Sequence, residues 1–164
     1  MKTSKMSRIG LTPGIVLMAL LSSVVTLSAS TIELSEGQSV YVPGYSHIYV
    51  GIKKLPFDLA ISLIIRNTDT LEPITVLSVS YFGSDGKPIR DFLKEPIRVA
   101  PLASVDFFVS EQDAAGGFGA SFIVKWKSAT KVNEPIIEGV MAGTKSGQGI
   151  SFTTRGQDIE DRRP

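Results

Sequence analysis

From residue 39 onward, apolar and polar side chains alternate with a period of two, the repeat that sends successive side chains to opposite faces of a strand. The clearest case is Asp58–Arg66, where Leu59, Ile61, Leu63 and Ile65 fall on one face and Ala60, Ser62, Ile64 and Arg66 on the other. Val105, Phe107 and Val109 alternate with polar neighbours in the same way, as do Phe122, Val124 and Trp126 against Lys125 and Lys127. Each of these segments predicts a half-buried strand with one wet face. No segment after residue 30 keeps a helical period over three turns.

The same pattern predicts strands at Ser39–Val42, His47–Val50, Ile74–Phe82, Ile89–Leu93, Ser104–Ser110, Ala120–Lys127, Ile136–Ala142 and Ile150–Thr154. Pro43, Pro56, Pro73, Pro88, Pro96, Pro101 and Pro135 sit at the margins of these runs, where a missing N–H costs the ladder least. Asn67-Thr-Asp69 reads as a turn, and Ser84-Asp85-Gly86-Lys87 as a tight hairpin of the primed type, because Asp-Gly accepts positive φ. Many short strands at this spacing predict an all-β fold, a single two-sheet antiparallel sandwich, with a small barrel as the competing closure. The sandwich is expected over residues 38–156, preceded by a lead-in at 31–37 and followed by a charged, mobile tail at 157–164.

Residues 1–30 are different material. Lys2, Lys5 and Arg8 precede an apolar run from Ile15 to Val25, and Ser28-Ala29-Ser30 offers small residues to a signal peptidase cutting before Thr31. The expectation is a signal peptide and a periplasmic or extracellular product, with membrane contact only if the segment stays uncleaved. The leader also changes the charge balance. The whole chain carries 17 Lys+Arg against 16 Asp+Glu, and removing three cations leaves the remainder mildly acidic, at a net charge of −2. Such a chain lacks the basic stripe that nucleic acid requires, and no nucleic-acid partner is expected. With no Cys, disulfides, thiolate nucleophiles and Cys-based metal sites are excluded, so the core must hold by packing.

Motifs that would carry chemistry are sparse. The chain has no Gly-x-Ser-x-Gly, and in Gly44-Tyr-Ser46-His47 the serine and histidine are adjacent, so an extended backbone sends them to opposite sides. The ordinary reading of His47 is a half-exposed strand residue. Gly139-Val-Met-Ala-Gly143-Thr-Lys145-Ser146 fails the phosphate-loop spacing, and Gly116-Gly117-Phe118-Gly119 fails the dinucleotide one. Acidic residues are scattered, without the spaced Asp run of a calcium loop, and Trp126 between two lysines reads as core. No cofactor, metal ligand or catalytic residue is assigned.

Tyr41-Val-Pro-Gly-Tyr-Ser-His47, Ile65-Arg-Asn-Thr-Asp69, Pro101-Leu-Ala-Ser104, Phe122-Ile-Val-Lys-Trp126, Asn133-Glu-Pro-Ile-Ile-Glu138 and Gly149-Ile-Ser-Phe-Thr-Thr-Arg-Gly156 give the chain a resemblance to the bacterial domain of unknown function 3124 family. That resemblance implies an exported bacterial protein and no assigned activity. Gly44 stands where such sequences often read Val after the proline. The order of strands and turns also resembles fibronectin-III and immunoglobulin-like modules, a likeness of fold that says nothing about ligand.

The leading expectation is an exported, non-catalytic β-sandwich that binds a protein or envelope component through loops at one end. The segments Pro43–His47, Asp113–Gly119 and Gly143–Gly156 combine glycine with residues able to face solvent, and Tyr45, His47, Gln148 and Arg155 are the candidate partner residues. The alternative is a secreted hydrolase or sugar-active enzyme working with Asp and Glu carboxylates, and it requires a pocket where two carboxylates meet. A third expectation, strand donation between copies, needs Ser39–Val42 to be a loosely held edge.

Overall fold

The computed structural model describes residues 34–160. The signal peptide expected at 1–30, residues 31–33 and the last four residues lie outside them. The described chain folds into twelve strands: β1 Leu34–Pro43, β2 His47–Val50, β3 Leu55–Asp58, β4 Ala60–Arg66, β5 Ile74–Phe82, β6 Pro88–Asp91, β7 Ile97–Val99, β8 Ser104–Val109, β9 Ser121–Asn133, β10 Ile136–Lys145, β11 Gln148–Arg155 and β12 Gln157–Ile159. One sheet runs β12-β1-β9-β5-β6, with β7 also on β5, and the other runs β11-β10-β4-β8. Each pairing is antiparallel. The two sheets share no ladder, so the closure is a sandwich and not a barrel.

The alternation read from the sequence is the burial observed. Leu59, Ile61, Leu63 and Ile65 are fully buried, and they face Val42, Val79, Tyr81, Phe122, Val124 and Trp126 from the opposite sheet within one continuous core. In β5 the period slips. Ile74 and Val76 are buried, then Val79 and Tyr81, because the register against β9 shifts between Val76 and Ser78. The bulge turns an even-numbered face into an odd-numbered one without breaking the strand.

Four sequence expectations need correction. Residues 34–37 of the expected lead-in are part of β1: Gly37 lies so close to β9 that a Cβ would sit 2.7 Å from the Trp126 carbonyl oxygen, while Ser35, Glu36 and Gln38 hide the period of two. Residues 157–159 of the expected tail form β12, with Ser39 opposite Ile159 and Tyr41 opposite Gln157. Ser39–Val42 is consequently no edge, since β1 has β9 on its other side. The stretch Asp58–Arg66 is divided between two strands: Asp58 ends β3, which pairs with β2, and β4 joins the four-stranded sheet after Leu59, whose N–H donates to the Ser46 carbonyl at 2.9 Å.

The expected primed turn also moves. At Ser84–Lys87 only Gly86 has positive φ, and a register shift at Phe82 absorbs the extra residue. The turn with positive φ at both central residues is Ser146-Gly147, between the paired Lys145 and Gln148.

Candidate functional site

At one end of the sandwich three connections meet. The chain leaves β1 at Pro43 and is stitched to the segment 113–120 by backbone bonds, Gly44 N–H to the Ala120 carbonyl at 2.8 Å and Ser46 N–H to the Gly117 carbonyl at 3.2 Å. The Ser46 hydroxyl, fully buried, donates to the same Gly117 oxygen at 2.9 Å. That hydroxyl is structural, which removes the Ser46–His47 pair from nucleophilic chemistry. The 113–120 segment is fixed from its other side by Ser84, whose hydroxyl donates to the Gly116 carbonyl at 2.9 Å and accepts from Gly119 N–H at 2.8 Å. Asp113 caps the short 3-10 turn Ala114–Gly116 and pairs with Arg90 at 2.6 Å.

This frame presents a group of rings. Tyr45, His47 and Tyr49 follow one another at the two-residue repeat, so they share a face of the extended chain. Phe118 lies against all three: stacked on Tyr49 at 5.7 Å, edge-on to Tyr45 at 5.4 Å and tilted to His47 at 6.2 Å. His47 meets Tyr49 edge-on at 5.2 Å, and Tyr45 meets Phe152 of β11 at 5.6 Å. Tyr45 and His47 are half-buried, whereas Tyr49 is 55% and Phe118 46% exposed. Stacked and edge-on ring pairs are favourable beyond area burial, and the segments beneath them are fixed by hydrogen bonds, so the patch is ordered before any partner arrives.

The patch lies within the part of the chain that is shared with relatives. Residues 37–159, from β1 to the end of β12, match the family described as a protein of unknown function, DUF3124. The chain belongs to that family. No curated protein matches it. Among solved structures it is similar to the crystal structure of Thermotoga maritima 1070, at 15% identity and a TM-score of 0.46, over 73% of this chain and 92% of that one.

Within the DUF3124 domain the four candidate residues do not form one site. Tyr45 and His47 stand in the ring patch. Gln148 lies just beyond the Ser146-Gly147 turn, lining a depression with Val50, Leu55, Phe57 and Lys145. Gly143 admits the β2–β3 hairpin here, because a Cβ would strike the Asp58 carbonyl oxygen and lie 3.0 Å from the Phe57 ring. Gly143 of the failed phosphate-loop motif is thus explained by close backbone approach. Arg155 is elsewhere: it stands opposite Glu138 in the β10–β11 ladder, at the far end of β10 from Gly143, beside Gln38, Glu134 and Asp158.

Two carboxylates do approach each other at that far end. The Gln38 side-chain amide donates to Glu134 and, at 2.7 Å, to Asp158. Asp158 is exposed and Glu134 half-buried, and the same side-chain amide binds both. Their geometry is that of a clasp, tying β12 and the β9–β10 turn to β1. Among the described residues no group of three or more His, Cys, Asp or Glu could hold a metal ion.

Tyr49 and Phe118, the most exposed rings of the patch, were not among the sequence candidates. The repeat Tyr45-x-His47-x-Tyr49 is a readable signal for the first. Phe118, framed by glycines in a loop, gives no period, and bonds from distant residues, Ser46 and Ser84 among them, place it.

Proposed function

We propose that the chain is exported and that its sandwich is a non-catalytic binding module for a protein or envelope component, with the ring patch as its contact surface. The observation that carries this reading is the pair Tyr49 and Phe118: two large rings stacked on each other, half exposed, on segments fixed by buried hydrogen bonds. Exposed, preorganised aromatic side chains supply much contact area at little entropic cost, the usual property of binding hot spots. The basic leader, apolar run and small residues before Thr31 support export.

The test replaces Tyr49 and Phe118 together by Ser and compares co-purification from envelope fractions with wild type. Stoichiometric recovery of one partner by wild type, lost in the variant, is the expected result. Equal recovery by both would overturn the assignment of the patch. Intact mass of the purified chain checks export, a mass beginning at Thr31 being expected.

A further inference from the structure

The ring patch continues into the tip of the β2–β3 hairpin, Gly51-Ile52-Lys53-Lys54, and this tip has an unusual composition. Ile52 is 104% exposed, so its side chain touches essentially nothing in the described protein. Leu55, opposite Val50 in the hairpin, is 56% exposed, and Tyr49 stands opposite Pro56. The turn is tight, with Lys54 N–H donating to the Gly51 carbonyl at 3.1 Å and positive φ at Gly51 and Lys54. Between Glu36 and Asp58 the only charged side chains are Lys53 and Lys54, both exposed. A third cation, Lys145, reaches the hairpin by donating to the Pro56 carbonyl at 3.0 Å. The acidic groups facing this side are Asp58 and Glu111, which line a depression with Lys145.

We propose that the hairpin tip docks on an anionic lipid surface. An apolar side chain projecting from a fixed turn, cations immediately beside it and an amphipathic ring just behind are the parts of an interfacial insertion: the aliphatic group enters the acyl boundary, the lysines meet phosphate headgroups, and tyrosine sits at headgroup depth. The local positive charge at the tip, on a chain that is net acidic after residue 30, points to a negatively charged occupant and not a neutral one. This deepens the binding-module reading and rests on it, since it names the lipid surface as an envelope component met at this end.

The experiment uses the chain as purified from cells expressing the whole gene, so wild type and variants carry the same N-terminus. Co-sedimentation is measured with vesicles of phosphatidylglycerol and phosphatidylcholine in equal parts, and with phosphatidylcholine alone. Wild type is expected to bind the anionic vesicles more tightly, and added salt to weaken that binding. Replacing Lys53 and Lys54 together by Gln should lower affinity about 30-fold, at about fivefold per lysine. Ile52→Asn should lower it at least about tenfold by removing the inserted aliphatic group. All the substituted side chains are exposed, so the fold stays intact.

The proposal is overturned if wild type binds the two vesicle types alike, if it binds neither, or if the variants bind as wild type does. It is also overturned if light scattering shows a dimer that Ile52→Asn abolishes, for then a second copy covers the tip. Envelope co-purification that persists without vesicle binding would sink the lipid proposal alone, whereas loss of both would sink the binding-module reading with it.

Discussion

The two ends of strand β4 solve opposite problems. Beyond Arg66 the chain enters a polar knot: Asn67, 2% exposed, donates through its side-chain amide to the carbonyls of Glu72 at 2.9 Å, Ala100 at 3.1 Å and Val99 at 3.3 Å, and accepts from Asp69 N–H. Asp69 accepts in turn from Leu71, Glu72 and Asn133. One turn thereby ties itself to the stretches at 99–100 and 133 and pairs these polar groups. Before Ala60 lies the other end, about 20 Å away along a seven-residue strand, where rings, Ile52 and two lysines face solvent. The difference separates structure from function: a surface that spends its polar groups internally has little to offer a partner, and one that exposes fixed apolar rings does.

The largest effect is expected where the exposed end rests on the core. A Cβ on Gly116 would collide with the Tyr81 hydroxyl and lie 2.7 Å from the Ala120 Cβ. Gly116→Ala should destabilise by about 3 kcal/mol, read from the urea midpoint, since the neighbours are buried and Tyr81 is stacked on Phe122 at 4.8 Å. Among the described residues the Tyr81 hydroxyl has no hydrogen-bond partner, so Tyr81→Phe alone should be neutral or mildly stabilising, and combined with Gly116→Ala it should restore part of the loss. A double variant no better than Gly116→Ala would show that the collision with Ala120 dominates.

Asn67→Ala tests the opposite end. It leaves the Glu72, Val99 and Ala100 carbonyls without their side-chain donor, and about 2 kcal/mol of stability should be lost with the β4 strand still formed. Partner recovery and vesicle binding should survive, because the knot touches neither surface. Loss of both would mean that the ends are coupled.

These contrasts explain what the sequence made legible. Strands such as 60–66 and 104–109 could be read because one face is dry and the other wet, which imprints the period of two directly. The β12 segment could not, because Gln157 and Asp158 are exposed and its pairing is determined by the Gln38 clasp, a contact over 120 positions. Likewise Asn67 was readable as a turn residue, but its three carbonyl partners lie up to 33 positions away. At the site, Tyr45 and His47 were visible in a loop, whereas Phe118 depended on bonds from Ser46 and Ser84 that no local pattern encodes.

The ends should also part in their response to pH. Backbone N–H groups of Glu72, Leu71 and Asn133 hold the Asp69 carboxyl below its ordinary value. A depressed carboxyl contributes stability that is present above its unfolded value, near 3.8, and is lost as pH falls through the lower folded value. Asp69→Asn should therefore flatten the acid limb of a stability profile. Tyr81, under the exposed end, behaves inversely: burial, with Asp113 adding to it, pushes its phenol up to about 12. Its contribution is complete below about 10 and is lost as pH rises towards 12, and Tyr81→Phe should flatten the alkaline limb. A profile in which neither substitution alters its own limb would break the contrast.

The smallest effect on stability is expected from the substitutions that matter most to the proposed function. Tyr49 and Phe118 are half exposed and bury little area, and the bonds fixing their segments come from Ser46 and Ser84, not from the rings. Replacing both by Ser removes one stacked pair and its contacts with His47 and Tyr45, all at half-exposed rings, so the stability read from the urea midpoint should fall by no more than about 1 kcal/mol. If the rings were core outliers retained for packing, the cost would instead resemble that of Asn67→Ala and partner recovery would not change. A small stability change together with lost recovery is the combination that only a binding surface produces, because a side chain that does little for the fold can be essential only to what the fold presents.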